Sequence, residues 1–561
     1  LNSTLDRFFA HYYDRAPVNA TFTGVHLHDH RLPDWSAGAR TADALDMRML
    51  HAELAAAFPA PTDGAAAFLR DGRLLDAEVA RANLEVRLAE HTSGHFHDRN
   101  PALWTGEAIF GAVALMIRDS APRADRVDLL RQRLDAVVPF LAAMPAVITD
   151  PVPPRWVGRA ERECVAAEGL FGAGLAMWLA EAPLPESAMA GVRAAASRAR
   201  AAFADCRRWL GTVPPAEIAA SSAGEALYTT LLQRGHWCRQ SPRDLLAEAT
   251  AGMATEQARL ADMLAGAGKT WDEVAAALAA DRPTTAEYYP AFERRWQECR
   301  AKAAEHDAVT WPDWPIHYVP MPAWAREWAP QLYWLFYRSP APFDPYTMHE
   351  YVVTPIDETL PPDEQERRLK AWNHSVITLN HVVHHGSVGH HVQNWHAYHQ
   401  TKSRVGAIAA VDCASRIGMF LGGSMAEGWA CYATELMDEL GLLTPLEQLS
   451  EQHSRVRMLA RAIVDIRLHL GDLPFDDAIA YYVSEVGMPA EVAAGEATKN
   501  SMFPCTAVMY WLGTSRILSL RDTVRARQGS AFSLRQFHDA LLGWGALPVS
   551  LVGELLLEGL A

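Results

Sequence analysis

Apolar side chains recur every third or fourth residue through FLRDGRLLDAEVARANLEVRLAEH (68–91) and RADRVDLLRQRLDAVVPFLAAM (123–144). Each segment can bury its apolar stripe only as an amphipathic helix. Ala, Leu, Arg and Glu, all good helix formers, dominate much of the remaining chain. Helix starts are marked as well: TWDE (270–273), TPLE (444–447) and SLRQ (533–536) have the capping-box form ahead of apolar runs. The periodicity therefore predicts a mainly α fold. With 561 residues, half of them hydrophobic, there is ample material for a large core.

One stretch departs from this rule. Residues 309–354, VTWPDWPIHYVPMPAWAREWAPQLYWLFYRSPAPFDPYTMHEYVVT, are rich in Pro, Trp and Tyr. Proline forbids long helices and the aromatics favour extended backbone. Either the stretch is an irregular aromatic connector between helical halves, or two or three short strands, at IHYVP, QLYWLFY and HEYVVT, wall one side of a cleft. We place a helical lobe at 1–308, and the strand segment plus a second helical lobe at 309–561, as one integrated unit.

Charge and cysteine usage exclude several roles. The 51 basic and 67 acidic side chains give a net charge of −16, which disfavours nucleic acid or anionic lipid as a partner. Seven cysteines are scattered singly with no CxxC pair, so neither a disulfide framework nor a thiolate zinc site is expected. LNSTLDRFFAHYYDR has no signal-peptide pattern, no run of about 18 apolar residues occurs, and a cytoplasmic location is expected. Walker-type, dinucleotide-binding and GxSxG patterns are missing, so phosphate, nicotinamide and serine-hydrolase chemistry lack their starting point.

The chemistry concentrates in HVVHHGSVGHHVQNWH (381–396), where six of sixteen residues are histidine. Neutral imidazole is a common zinc ligand, and two histidines with one acid from another helix make an open catalytic site. On a straight helix, residues one turn apart are separated by about 6 Å along the axis and residues seven apart by about 10 Å. His381 and His385 form the one unbroken i, i+4 pair in the stretch. His384 and His391 share a face but are too far apart, and His384 and His390 fail on face as well unless the backbone is distorted. Gly386 and Gly389 are where distortion is cheapest. Downstream, LGGSMAEGWACYATELMDELG (421–441) reads as a glycine-bounded helix with Glu427 in its first turn, either serving the helix dipole or acting as a third ligand.

HHGSVGHHVQ (384–393) and EGWACYATEL (427–436) resemble the paired motifs of the bacterial "domain of unknown function 885" family, roughly HEAxPGHHxQ and EGWAxYxExL. APVNATFTGVHLHDHRLPDWS (16–36), RAIVDIRLHLG (461–471), FPCTAVMYWLG (503–513) and FSLRQFHDALLGWGALPVSLV (532–552) are similar to other blocks of that family. The resemblance implies a zincin-type metallopeptidase with a two-lobed, thermostable-carboxypeptidase-like helical fold and a deep groove. It also implies one zinc ion held by His384, His390 and Glu427, with His391 the rival for the second place, and Tyr510 polarising the substrate carbonyl.

The departure is as informative as the match. Where the family has the proton-transferring Glu, this chain has His385. A general base contributes about 10² to 10⁴-fold, and imidazole can shuttle protons near neutral pH, though with a different reach and no negative charge. Lys499-Asn500 replaces Arg-Tyr, Pro504-Cys505-Thr506 replaces Pro-Gly-Gln, and Trp511 replaces Lys. Two functions follow as expectations: a hydrolase of small peptides or amides using His385, or a catalytically silent relative that binds a peptide or metabolite. A redox or two-ion site ranks behind both. Elsewhere, HLHDH (26–30) reads as structural, His349-Glu350 as a solvent-facing pair or a replacement carboxylate, and Asp465/His469 as a buried hydrogen bond. Arg457 and Arg461 read as partners for a substrate carboxylate or for neighbouring acids.

Overall fold

Helix-forming sequence becomes helix almost throughout: in the computed structural model 73% of the chain is helical and 2% is strand. The structure describes residues 3–560 except 62, 183, 217–220, 333–336, 339–340, 345–348 and 410–418. Capping chemistry sets the boundaries. Thr270 with Glu273 and Thr444 with Glu447 form reciprocal capping boxes, whereas at Ser533 only the forward half forms, its hydroxyl accepting from the Gln536 N–H. The 68–91 pattern is cut in two: helices Ala65–Arg70 and Gly72–Thr92 meet at Asp71, whose carboxylate caps the second by accepting from the Arg73 N–H. A local side-chain hydrogen bond outcompetes continuous helix there.

Helices Pro101–Ile117, Arg123–Val147, Pro154–Gly169 and Glu186–Leu210 pack together around Trp104, Trp156, Phe140 and Phe203. The run Pro154–Ala180 is long and apolar enough to cross a membrane, yet much of it is buried in this cluster. A second layer pairs Gly423–Glu439 with Val508–Gln528, and Pro242–Ala267 with Pro445–His469. The largest core cluster joins Phe8 and Leu84 from the N-terminal helices to Trp429, Leu520 and Leu551 near the other end of the chain.

The aromatic stretch forms one small sheet of β1 (His317–Pro320), β2 (Tyr337–Arg338) and β3 (Glu350–Val353), in the order β1-β3-β2. β1 runs parallel to β3, with His317 opposite Glu350, and β2 runs antiparallel to it, with Tyr337 opposite Tyr351. Two of the expected strands correspond to IHYVP and HEYVVT. Most of QLYWLFY lies outside the described residues, and only Tyr337 at its end belongs to β2. The sheet meets the histidine stretch directly: the Tyr351 hydroxyl is 2.7 Å from His381 Nδ1, and the Tyr318 hydroxyl donates to the His381 carbonyl at 3.3 Å.

Candidate metal centre

The distortion that the histidine spacing requires is present. Residues Ile377–Gly386 form a π-helix, a turn follows at Ser387–Gly389, and an α-helix restarts at His390–His399. Wide π turns re-aim side chains that an α-helix would spread around its face. Both glycines are needed for close approach. A Cβ on Gly389 would lie 1.9 Å from the His384 carbonyl oxygen, and one on Gly386 would lie 2.2 Å from the Tyr318 hydroxyl. Two buried indoles hold the turn: Trp296 Nε1 donates to the Gly386 carbonyl at 2.8 Å, and Trp429 Nε1 donates to those of Val388 at 2.9 Å and Gly389 at 3.2 Å.

This backbone brings His384, His385 and His390 together, with one ring nitrogen of each inside a 4.8 Å circle. Glu427 closes the group from the Gly423–Glu439 helix: its Oε2 lies 3.3 Å from His384 Nε2 and 3.6 Å from His390 Nε2. Trp429 is two residues further along that helix, so one element delivers both the carboxylate and the clamp on the histidine turn. Glu427 does not lie in the first helical turn, as expected, but just beyond it, because the helix starts at Gly423. The dipole explanation weakens with that distance.

Electrostatics favour neutral imidazoles around an ionised acid. Burial pushes His384 down, opposed by Glu427, and pushes His385 well down, reinforced by the neighbouring His384 and His390. Burial alone would raise the Glu427 carboxyl, but hydrogen bonding to His384 and His390 outweighs it and holds the group well below the usual carboxylate range. His385 Nδ1 donates to the Asn380 carbonyl at 2.6 Å, which leaves its Nε2 lone pair free. Three imidazoles and one carboxylate form a donor set suited to zinc or a similar divalent ion.

Comparison with known proteins supplies the family. Residues 17–556 match the family described as "Bacterial protein of unknown function (DUF885)". The chain belongs to this family. No curated protein matches it. Among solved structures, it is similar to one from Shewanella oneidensis described as a "putative lipoprotein of unknown function", at 18% identity and TM-score 0.76 over 99% of this chain and 100% of that one. A "putative lipoprotein" from Colwellia psychrerythraea is similar at 16% identity and TM-score 0.73 over the whole of both chains. These likenesses show a shared fold. They also correct the cytoplasmic expectation, since a lipoprotein description points to a membrane-anchored or secreted location.

The remaining candidates of this DUF885 member are sorted by their contacts. His391 is directed away from the cluster: it is fully buried, with Nε2 3.1 Å from the Trp314 carbonyl, and burial pushes it down to about 4. His381 stacks on Trp372 at 4.2 Å rather than joining His385. His349 is buried, not solvent-facing, because the Trp314 and His391 rings pack against it. Tyr510 is buried on the helix that packs against the Glu427 helix, its ring 4.3 Å from the Arg461 guanidinium. Arg461 itself pairs with Glu496 at 2.9 Å.

Arg457 differs from Arg461. It is exposed and has no ion-pair or hydrogen-bond partner among the described residues. His384 lies within its field. Asp465 accepts the Cys505 and Val508 N–H groups, and His469 bridges the Ala223 N–H and the Asn500 carbonyl, a buried structural network. In HLHDH, His26 sits between Asp29 at 2.7 Å and Asp344 at 2.6 Å, joining distant parts of the chain. Nothing in the sequence pattern marks Trp429, Trp296 or Asn380 as part of the site. Trp429 stands inside the quoted EGWA motif, but a tryptophan's indole partner is fixed by tertiary packing and leaves no periodic signal.

Proposed function

We propose that the His384, His385, His390 and Glu427 cluster is the metal centre of a hydrolase acting on small peptides or amides. The observation that carries this reading is the convergence of three ring nitrogens within 4.8 Å, with the Glu427 carboxylate 3.3 Å from His384. Held there, a divalent ion such as zinc would supply Lewis acidity toward a carbonyl oxygen. Resemblance to zincins supports the choice of chemistry.

The chain's own groups take the remaining roles. His384, His390 and Glu427 bind the ion, and Trp429 keeps the histidine turn against the Glu427 helix. His385, fixed by Asn380 with Nε2 unprotonated, accepts a proton from the attacking water and returns it to the leaving amine. Arg457 offers its guanidinium to a substrate carboxylate, an interaction that is strong when bidentate, and Tyr510 stands ready to orient the carbonyl. The extracytoplasmic location pointed to by the lipoprotein-like relatives suits scavenging of short peptides.

A second reading follows from the same nitrogen. A neutral His385 has one lone pair, so it can accept a proton or complete a closed four-ligand site, not both, and closed sites are structural. In that case the protein is a silent relative that binds a peptide or metabolite. His385→Ala separates the two. On the hydrolase reading, metal content stays near the parent's and turnover of an oligopeptide panel drops by about 10² to 10⁴-fold. Loss of metal from His385→Ala, combined with an inactive parent that gains hydrolysis on His385→Glu, would establish the silent reading instead.

A further inference from the structure

A separate cavity, of about 260 Å³, lies one helical turn from Glu427, between the N-terminal helices and the C-terminal layer. Its wall includes Gly423, one turn before Glu427 on the same helix and so about 6 Å along the axis, and Met509, next to Tyr510. The cavity thus reaches the helices that carry Glu427 and Tyr510.

The charges on its wall are nearly all matched. Arg15 lies 3.1 Å from Asp46, Arg87 lies 3.4 Å from Asp43, Arg40 lies 3.3 Å from Asp98, and Arg159 lies 3.0 Å from Glu163. Glu107 is the exception. It is half-buried and has no ion-pair or hydrogen-bond partner among the described residues, Arg133 acting on it only at longer range. Buried orphan atoms on the same wall include the acceptor Asn83 Oδ1, on a side chain 2% exposed, the hydroxyl Thr506 Oγ1, on one 5% exposed, and two donor nitrogens, Arg40 Nε and Arg87 Nη1, whose guanidinium groups are otherwise ion-paired. Buried polar groups in folded proteins are satisfied almost without exception; the two arginines already have carboxylate partners, whereas Glu107, Asn83 and Thr506 can be satisfied together by a group that donates hydrogen bonds and carries positive charge.

We propose that this cavity receives the cationic end of the ligand, a primary ammonium group such as a peptide's free N-terminus, with Glu107 as counter-ion and Asn83 and Thr506 as acceptors. The inference rests on the peptide or amide reading above and narrows it to substrates with a free amine. Burial raises the Glu107 carboxyl to about 7, which fits a carboxylate lacking its cation.

The test is calorimetric binding of an oligoalanine series to the full chain, each peptide with a free or an acetylated N-terminus, both with metal and after chelation. The free peptides should bind about tenfold or more tightly than the acetylated ones, the scale of a charge-assisted hydrogen bond. Glu107→Gln should abolish that preference, Glu107→Asp should keep part of it, and Thr506→Val should weaken the free peptide alone. Circular dichroism checks that each variant is folded. Equal binding of the two forms at every length, no binding of either, or a preference that survives Glu107→Gln would overturn the proposal. If the preference persists after chelation in a protein that hydrolyses nothing, only the hydrolase reading fails.

Discussion

His26 shows what a single histidine does when its surroundings are charged rather than apolar. Hydrogen bonds to Asp29 and Asp344 raise its pKa from 6.5 to about 9, opposite in direction to the shifts of His384, His385 and His391. Its folded-state pKa lies above its unfolded value, so its contribution to stability is fully present below about 6.5 and is lost as pH rises through 9. Urea denaturation of the parent and of His26→Gln should therefore differ most at pH 6 and converge by pH 9.5. A difference that stays constant across that range would contradict the assignment. His385 illustrates the opposite case, a histidine kept neutral with its tautomer fixed by one backbone carbonyl.

At the scale of elements, the proposed metal centre depends on two departures from regular helix and on the two indoles that hold the turn. The π-helix ending at Gly386 and the turn at Gly389 place His384 and His390 within reach of each other, with ring centroids 5.0 Å apart. Gly389→Ala puts a methyl group 1.9 Å from the His384 carbonyl oxygen. The chain should still fold, with far-ultraviolet circular dichroism close to the parent's, but should lose most of its zinc affinity; unchanged affinity would show that the turn does not set the geometry. Trp429→Phe removes the donor to the Val388 and Gly389 carbonyls and should lower stability by about 1 to 3 kcal/mol, measured by denaturant unfolding.

How much of this the sequence made legible follows from what leaves a pattern. The need for distortion at Gly386 and Gly389 was readable because straight-helix geometry forbids the His384 and His390 pairing. The mainly α fold was readable from periodicity, and the break at Asp71 was not, because an aspartate is compatible with helix until its carboxylate finds an N–H. Cys505 is a similar case. Its φ of 60° lies in the left-handed region that favours glycine, and it stands where the family pattern has Gly, so a residue poorly suited to that backbone shape nevertheless adopts it. Asp465, by accepting the N–H groups of Cys505 and Val508, helps hold that shape.

For the whole molecule, the largest core runs from Leu5 to Leu555, so the site is assembled by packing between segments far apart in sequence. His384 and His390 come from one stretch, Glu427 from a second, Arg457 from a third, and the unmatched Glu107 of the separate cavity from the N-terminal helices. Such convergence explains why the Glu107 cavity had no sequence signal: its members lie on helices whose periodicity reports only their buried stripes. The central claim is that the four-residue cluster holds one divalent ion. Calorimetric titration of zinc into metal-free protein carrying no histidine tag tests it directly. The account predicts about one site per chain, lost in His384→Ala and strongly weakened in Glu427→Gln. No saturable binding in the parent, or equal binding in His384→Ala, would contradict it.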